Sequence, residues 1–315
     1  MTQKLRIASQ LGAPLDEAVL RQAPNLPLEI VPLRRGSVKE LPHGSEVLFA
    51  YPFHKAGEAS APRPDGWPFG VKWVQLMSAG TDAYPAWLFD GPVVTNASGT
   101  LAAPIAEFCL ALILGAAKKL PQVWISRPED WKLYSLNSVE GAALGIFGFG
   151  AIGENLARRA LALGMKVYAT RQSDRPMIPG VTRVDGIAEL AALSDHLVLA
   201  APATPETRHI VSTELLARAK PGLHLINVAR GVLVDDEALL AAIESGQVSL
   251  ASLDVTDPEP LPAGHPYYTH PRVRLSPHTS PMAKDADDRI ASIFSTNLRH
   301  YLAGEPLVNV VAAKE

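Results

Sequence analysis

The apolar positions of the chain fall into two series of short runs, separated by stretches of helical period. In the first hundred residues, 5–9, 28–33, 47–51, 73–77 and 93–96 are β-like runs, and 16–22 is a helix between the first two. Strands joined by connections long enough for helices predict a parallel α/β sheet. The stretch 61–70, rich in Pro and Gly, is a loop. Residues 101–120 predict one long helix ended by Pro121, apolar nearly all round and therefore buried on more than one face. The rhythm then restarts, with strands at 144–147, 166–170, 197–200, 223–228, 250–255 and 273–276. Helices are expected at 152–163, 187–193, 214–219 and 236–245, and a last one at about 283–302 ends at Gly304. Six strands with crossovers make the pattern of a full dinucleotide-binding domain.

Composition narrows the class. A length of 315 residues suggests two domains at roughly 150 residues each. Hydrophobic residues make up 47% and charged residues 19%, so the chain is expected to be compact and globular, not disordered. A net charge of −3 gives no broad pull toward nucleic acid or an anionic membrane. The single cysteine, Cys109, excludes an intrachain disulfide, and its apolar helical setting predicts a small buried hydrophobe. The polar N-terminus runs into a strand with no signal-peptide core. The longest apolar stretch, 101–117, contains Pro104 and Glu107 and is shorter than the roughly 20 residues a membrane span needs. A soluble cytoplasmic protein is expected, and no residue set is assigned to a metal.

The first chemical signal is Gly148-Phe149-Gly150-Ala151-Ile152-Gly153. A bare G-x-G-x-x-G is weak, but here a strand-like run, 144–147, precedes it. A helical stripe of Leu156, Ala157, Ala160 and Leu163 follows, closed by Gly164. In a Rossmann unit Gly148 permits the tight turn, Gly150 lets backbone approach a pyrophosphate at the helix N-terminus, and Gly153 lets helix and strand pack closely. The end of the second strand is where an acidic residue would bond the ribose hydroxyls of NAD. Here it reads Thr170-Arg171-Gln172-Ser173, with no carboxylate until Asp174. Arg171, with Ser173 and nearby Arg175, would offer donors to a 2′-phosphate, so NADP(H) is expected over NAD(H). The plainer alternative is a surface arginine indifferent to the phosphate.

Downstream, the chain reads Asn227-Val228-Ala229-Arg230-Gly231-Val232-Leu233-Val234-Asp235. Then come Leu253-Asp254-Val255-Thr256-Asp257-Pro258-Glu259-Pro260-Leu261-Pro262, His265-Pro266, and Ser276-Pro277-His278-Thr279-Ser280. With the glycine turn upstream, this series resembles the D-isomer-specific 2-hydroxyacid dehydrogenases over nearly the whole chain, most strongly from about 141 to 282. The Met77-Ser78-Ala79-Gly80-Thr81-Asp82 loop and the Arg171 site look most like the glyoxylate/hydroxypyruvate reductase branch. The resemblance implies a Rossmann dinucleotide-binding domain, 98–283, and a smaller flavodoxin-like α/β substrate domain, 1–97 with 284–315, with the active site in the cleft between them. Hinges are expected near Asn96 and Met282. It also implies a homodimer formed through the 101–120 helix.

The implied chemistry suits the residue types. Arg230 can hold a substrate carboxylate and polarise the adjacent carbonyl. His278 can donate the proton near neutral pH, and a carboxylate beside it, Glu259, should raise its pKa. Each has a plain alternative: a structural ion pair for Arg230, a solvated loop for Glu259, a turn cap for His278. By resemblance, Ala151 and Ile152 present backbone to the pyrophosphate, and Pro202 and Thr207 border the adenosine side. Val228 and Ala229 line the nicotinamide side, Asp254 bonds the nicotinamide amide, and Ser280 lies beside that ring. Ala79 and Gly80 give backbone N–H groups to the substrate carboxylate, and Tyr51, Phe53, Met77, Ser78, Tyr267 and Tyr268 are candidates for the pocket or its rim. Leu101 stands where the family often has an asparagine, which leaves contacts from 98–101 open. The expected activity is NADPH-dependent reduction of a small 2-oxo acid to the D-2-hydroxy acid. The alternative is a dinucleotide-sensing corepressor of the same fold; no feature points to phosphite or formate.

Overall fold

The computed structural model describes residues 4–54 and 61–311. The ends of the expected substrate domain, 1–3 and 312–315, therefore lie outside the described residues. In chain order the elements are β1 (Leu5–Ser9), α1 (Ala13–Gln22), β2 (Leu28–Pro32), β3 (Val47–Ala50), β4 (Trp73–Leu76), β5 (Val93–Thr95) and α2 (Ala102–Ala117). They continue with β6 (Ala143–Phe147), α3 (Ala151–Ala162), β7 (Lys166–Thr170), β8 (Val181–Arg183), α4 (Ile187–Leu193), β9 (His196–Leu199) and α5 (Thr213–Arg218). The last are β10 (Leu223–Asn227), α6 (Asp236–Glu244), β11 (Val248–Leu253), β12 (Val273–Leu275) and α7 (Ala286–Ala303). The chain divides into two compact units, Met1–Leu101 with Ala283–Glu315, and Ala102–Met282. These divisions lie at 101/102 and 282/283, against the sequence expectation of 97/98 and 283/284.

The first unit is a parallel five-stranded sheet in the order β2-β1-β3-β4-β5, the flavodoxin-like order. β3 and β4 are buried along their whole length, which is why they read as continuous apolar runs and not as alternating ones. On one face Leu15, Ala18 and Val19 of α1 and Ile290, Ala291, Phe294 and Leu298 of α7 share a core. The end of the chain thus returns to complete the unit that its beginning starts. The other face is covered by Trp67, Tyr84, Trp87, Leu88 and Phe89.

The second unit is a parallel seven-stranded sheet in the order β12-β11-β10-β9-β6-β7-β8. Connections leave β6 in both directions, so the order reverses between β6 and β9, where an open α/β sheet leaves a crevice at the strands' carboxyl ends. α2 and α3 cover one face; α4, α5 and α6 cover the other with Leu190, Leu215, Leu239 and Ile243.

Three expectations need correction here. The long helix stops at Ala117, because Lys119 takes a left-handed φ of 51° and the chain turns before Pro121. Its buried positions are Ala102, Ala106, Cys109, Ile113 and Ala117 on one stripe and Gly115 on another face, beside Arg274; Ile105, Phe108 and Leu112 are half-buried, and Glu107 and Ala111 are exposed. Leu163, expected on the stripe of α3, sits past its end and is exposed. A seventh strand, β8, joins the sheet edge beside β7; at three residues, with two exposed, it carries no apolar pattern. Cys109 is fully buried, and burial pushes its thiol up to about 12, so it stays protonated. No described helix is long and apolar enough to cross a membrane, and no group of metal-ligating side chains gathers among the described residues.

Candidate active site

The glycine turn leads from β6 into α3. Gly148 has φ 99°, and a Cβ there would lie 2.6 Å from the Ala201 nitrogen and 2.7 Å from the Ala200 carbonyl carbon, so only glycine lets the turn pass the end of β9. A Cβ on Gly153 would lie 2.8 Å from the Gly148 oxygen, which fixes glycine where helix and turn touch. A Cβ on Gly150 would meet nothing within 4 Å, so the space beside it is open. Ala151, Ile152 and Gly153 then begin a twelve-residue helix whose first N–H groups have no intrahelical acceptor. Bare backbone, open space and a helix N-terminus fit the diphosphate of a dinucleotide.

Arg171 sits otherwise than expected. Its side chain is only 6% exposed and folds under the turn instead of reaching outward. Nε and Nη2 both donate to the Phe149 carbonyl at 2.9 and 2.7 Å. Nη1 donates to the Arg175 and Pro176 carbonyls, and Nη2 also pairs with the Glu154 carboxylate. Its five N–H groups thus match five bonds inside the protein. Ser173 and Arg175, by contrast, are exposed beyond the strand end.

The downstream motifs meet at the carboxyl ends of three adjacent strands. Arg230 follows β10, Glu259 lies in the loop after β11, and His278 follows β12. Asn227, fully buried at the end of β10, accepts from the Ala229 N–H and donates to the Arg230 carbonyl, which fixes the backbone at the arginine. The Arg230 Nη1 donates to the Ala229 carbonyl at 2.7 Å. Glu259 accepts from the Thr256 N–H at 3.1 Å with one oxygen and meets His278 Nδ1 at 3.0 Å with the other. His278 has a left-handed φ of 50°, a conformation costing about 1–2 kcal/mol for a residue with a Cβ. Its N–H holds this turn by donating to the Asp254 carbonyl at 2.8 Å.

Electrostatics couple the three. For His278 the hydrogen bond to Glu259 raises the imidazole pKa, aided by the charges of Glu259 and Asp254 and opposed by burial and the Arg230 charge; the net direction is up. Burial pushes the Glu259 carboxyl upward, but the bond and charge of His278, the Thr256 N–H and the Arg230 charge outweigh it, so it titrates below its ordinary range. An ionised Glu259 makes Nδ1 the donor in that bond and leaves Nε2 for chemistry.

The remaining sequence candidates divide. Asp254 is buried, and its carboxylate accepts from the Ser276 hydroxyl at 2.6 Å and from the N–H groups of Thr279 and Ser280 at 2.9 and 3.0 Å. Before any ligand, it holds the loop that carries His278. Val228, Ala229 and Ser280 are buried around the same strand ends. The Thr207 hydroxyl accepts from the Thr204 N–H and donates to the Pro202 carbonyl, so it closes the loop after β9 on itself. In the first unit, the Ala79 carbonyl accepts from Asn96 Nδ2 and the Gly80 carbonyl from the Ser78 hydroxyl. Among the described residues neither Ala79 nor Gly80 has a partner for its N–H. Phe53 packs edge-on against Trp87, and the Arg35 guanidinium lies 3.8 Å over the Tyr51 ring, so both aromatics have packing partners. Tyr267, a candidate for the rim, is instead 1% exposed in the core, with its hydroxyl on Asp236; Tyr268 is exposed.

The model of the D-isomer specific 2-hydroxyacid dehydrogenase NAD binding domain matches residues 110–280. The chain belongs to this family. A glyoxylate/hydroxypyruvate reductase A of Serratia proteamaculans is 33% identical over 257 residues, covering 76% of this chain and 80% of that protein. A D-3-phosphoglycerate dehydrogenase of Methanocaldococcus jannaschii is 34% identical over 229 residues, 70% of this chain, which spans only 43% of that longer protein. Among solved structures, a D-isomer specific 2-hydroxyacid dehydrogenase of Xanthobacter autotrophicus Py2, in complex with NADPH and MES, has a TM-score of 0.80 at 27% identity and covers 99% of each chain. The unit Ala102–Met282 is accordingly a nicotinamide-dinucleotide-binding domain.

Two residues of this family member escaped the sequence reasoning. In the sequence Asn227 stands only as the first residue of its motif and Gly231 only as the residue after the arginine. A Cβ on Gly231 would lie 1.9 Å from the Thr256 carbonyl carbon and 2.4 Å from the Asp257 nitrogen, so this glycine lets the Arg230 turn and the Glu259 loop touch. The Arg-Gly pair carried the signal, since a glycine beside a functional side chain often marks close backbone approach. A cavity of about 880 Å³ opens at the opposite, amino ends of the strands, lined by His196, His224, Arg272 and Arg274 among others. It is remote from the Arg230, Glu259 and His278 set, and ligands of open α/β sheets gather at the carboxyl ends.

Proposed function

We propose that this chain reduces a small 2-oxo acid of the glyoxylate or hydroxypyruvate kind to the D-2-hydroxy acid, with NADPH preferred over NADH. The observation that carries this reading is the set Arg230, Glu259 and His278 at adjacent strand ends, with Glu259 3.0 Å from His278 Nδ1. When bound, the nicotinamide supplies a hydride to the substrate's carbonyl carbon. Arg230 holds the substrate carboxylate and polarises the carbonyl, and the N–H groups of Ala79 and Gly80 assist at the carboxylate. His278 delivers a proton from Nε2 to the developing alkoxide, and Glu259 keeps Nδ1 protonated and the ring in place. Gly148, Gly150, Ala151, Ile152 and Gly153 hold the diphosphate, Pro202 and Thr207 border the adenosine, and Val228, Ala229, Asp254 and Ser280 lie at the nicotinamide. The NADPH preference is supported by the missing carboxylate at the end of β7, by exposed Ser173 and Arg175, and by the NADPH complex of the Xanthobacter protein. A second copy is proposed to cover α2. Half-buried Ile105, Phe108 and Leu112 support this, as do exposed Trp124, Trp131 and Leu133 in the segment that follows.

Purified protein should consume NADPH with glyoxylate or hydroxypyruvate, faster than NADH, and should run as a dimer in light scattering. No turnover across a panel of 2-oxo acids would sink the reading and favour a dinucleotide sensor. The pH profile is a second check. Reduction needs imidazolium, so kcat/KM should hold at low pH and fall as pH rises through the raised pKa of His278, above the ordinary value of about 6.5. Glu259→Gln removes the group that raises it, and the fall should move to lower pH. An unmoved inflection would show that Glu259 does not tune His278.

A further inference from the structure

We propose that Arg171 is a positioning residue for the diphosphate-binding turn, with Glu154 as its counter-charge, and that it does not read a 2′-phosphate. The proposal rests on dinucleotide binding at this turn but not on which dinucleotide is preferred. The Phe149 carbonyl accepts two of the guanidinium's N–H groups, at 2.9 and 2.7 Å. The Phe149–Gly150 peptide is planar and trans, so its C=O and N–H point in opposite directions. Drawing the carbonyl onto Arg171 therefore turns the Gly150 N–H away from it, at the residue whose missing side chain leaves open space. The Phe149 N–H is fixed on the Thr170 carbonyl at 2.9 Å, so both sides of the residue between the two glycines are tied down.

Further contacts make the clamp rigid. Nη1 holds the Arg175 and Pro176 carbonyls, which links the loop after β7 to the turn. The guanidinium carbon lies 4.9 Å from the centre of the buried Phe149 ring. Glu154 stands in the first turn of α3, where a diphosphate would add more negative charge. Its pairing with Arg171 neutralises that carboxylate and compensates a cation that is 6% exposed. A guanidinium whose donors are all engaged under the turn has none left for a phosphate beyond the strand end.

The test is the pattern of loss across ligands. Kd values for ADP-ribose, 2′-phospho-ADP-ribose, NADH and NADPH would be measured for the wild type, Arg171→Lys, Arg171→Ala and Glu154→Gln. All four ligands should bind about tenfold more weakly to the Arg171 variants, with the NADPH-to-NADH ratio unchanged, and the kinetic loss should fall on the cofactor KM more than on kcat. Glu154→Gln should show the same uniform pattern in smaller measure. It serves if an Arg171 variant does not fold, because it removes the counter-charge while keeping the side chain's shape. A loss confined to the two 2′-phosphorylated ligands would make Arg171 a reader and overturn the proposal. A lowered melting temperature with unchanged Kd values would overturn it too, leaving only a structural role. Wild-type preference for NADH would defeat the cofactor assignment above without touching this one, because the inference is judged on the change between variants.

Discussion

His278→Gln is expected to lower turnover of a 2-oxo acid by about 10²–10⁴-fold while leaving the Kd for NADPH within a factor of two or so. A positioned general acid is worth that much because the alkoxide that forms on hydride arrival must be protonated as it forms. Glutamine has about the right length to meet Glu259, but it carries no transferable proton near neutral pH. The backbone does not confound the comparison: position 278 has φ 50°, and glutamine bears the same left-handed strain as histidine. Alanine at 278 should give a similar loss. The contrast with Glu259→Gln is part of the argument, since that change shifts a pKa and leaves the acid in place. Steady-state kinetics with hydroxypyruvate and NADPH, beside a fluorescence titration of NADPH, decide the matter. Turnover within tenfold of wild type would remove His278 from the chemistry.

The fold was legible where the apolar pattern is continuous or strongly periodic. β1, β7 and α4 run as the apolar pattern predicts, and the other expected strands begin or end within two residues of it. Buried parallel strands leave nearly unbroken apolar runs bounded by turns, and that is a strong local signal. β8 was not legible because an edge strand with two exposed residues needs no apolar pattern; its place depends on β7 already being there. The end of α2 was misjudged because Lys118-Lys119-Leu120 carries no helix breaker before Pro121, and the turn that stops the helix is a backbone event at Lys119.

At the site, residue types were legible and side-chain directions were not. Arginine at position 171 is compatible with a phosphate reader and with a clamp under the turn. The Phe149 carbonyl on the glycine turn, Glu154 on α3 and the Arg175 and Pro176 carbonyls decide which way it folds. Asp254 repeats the lesson. A buried carboxylate beside a cofactor site suggests a ligand contact, yet its oxygens accept from Ser276, Thr279 and Ser280, partners more than twenty residues away in sequence. His278 and Glu259 lie nineteen residues apart and meet because β11 and β12 are neighbours in the sheet.

Gly231→Ala is expected to cost about 3 kcal/mol of stability, the upper end of the usual range for overpacking, and to lower turnover by about 10²-fold or more. Most glycine-to-alanine changes are milder, because the added methyl meets a flexible side chain or open space. Here it would overlap the Thr256 carbonyl carbon at 1.9 Å, its oxygen at 2.2 Å and the Asp257 nitrogen at 2.4 Å, all of them backbone. Neither strand end can yield easily. Asn227 and Ala229 pin the segment on one side, and the Thr256 N–H is bonded to Glu259 on the other. Relief must come from moving Arg230 away from the loop that carries Glu259, which separates the proposed carboxylate anchor from the proposed proton donor beside Glu259. A displacement of about 1 Å is enough for a hundredfold loss when reacting groups must be held in register. The dinucleotide turn lies on β6 and α3, so NADPH affinity should fall far less than turnover. Thermal unfolding, a cofactor titration and steady-state rates on the one variant separate these effects. Wild-type turnover in a stably folded Gly231→Ala protein would mean that close contact between the two strand ends is not what aligns the site.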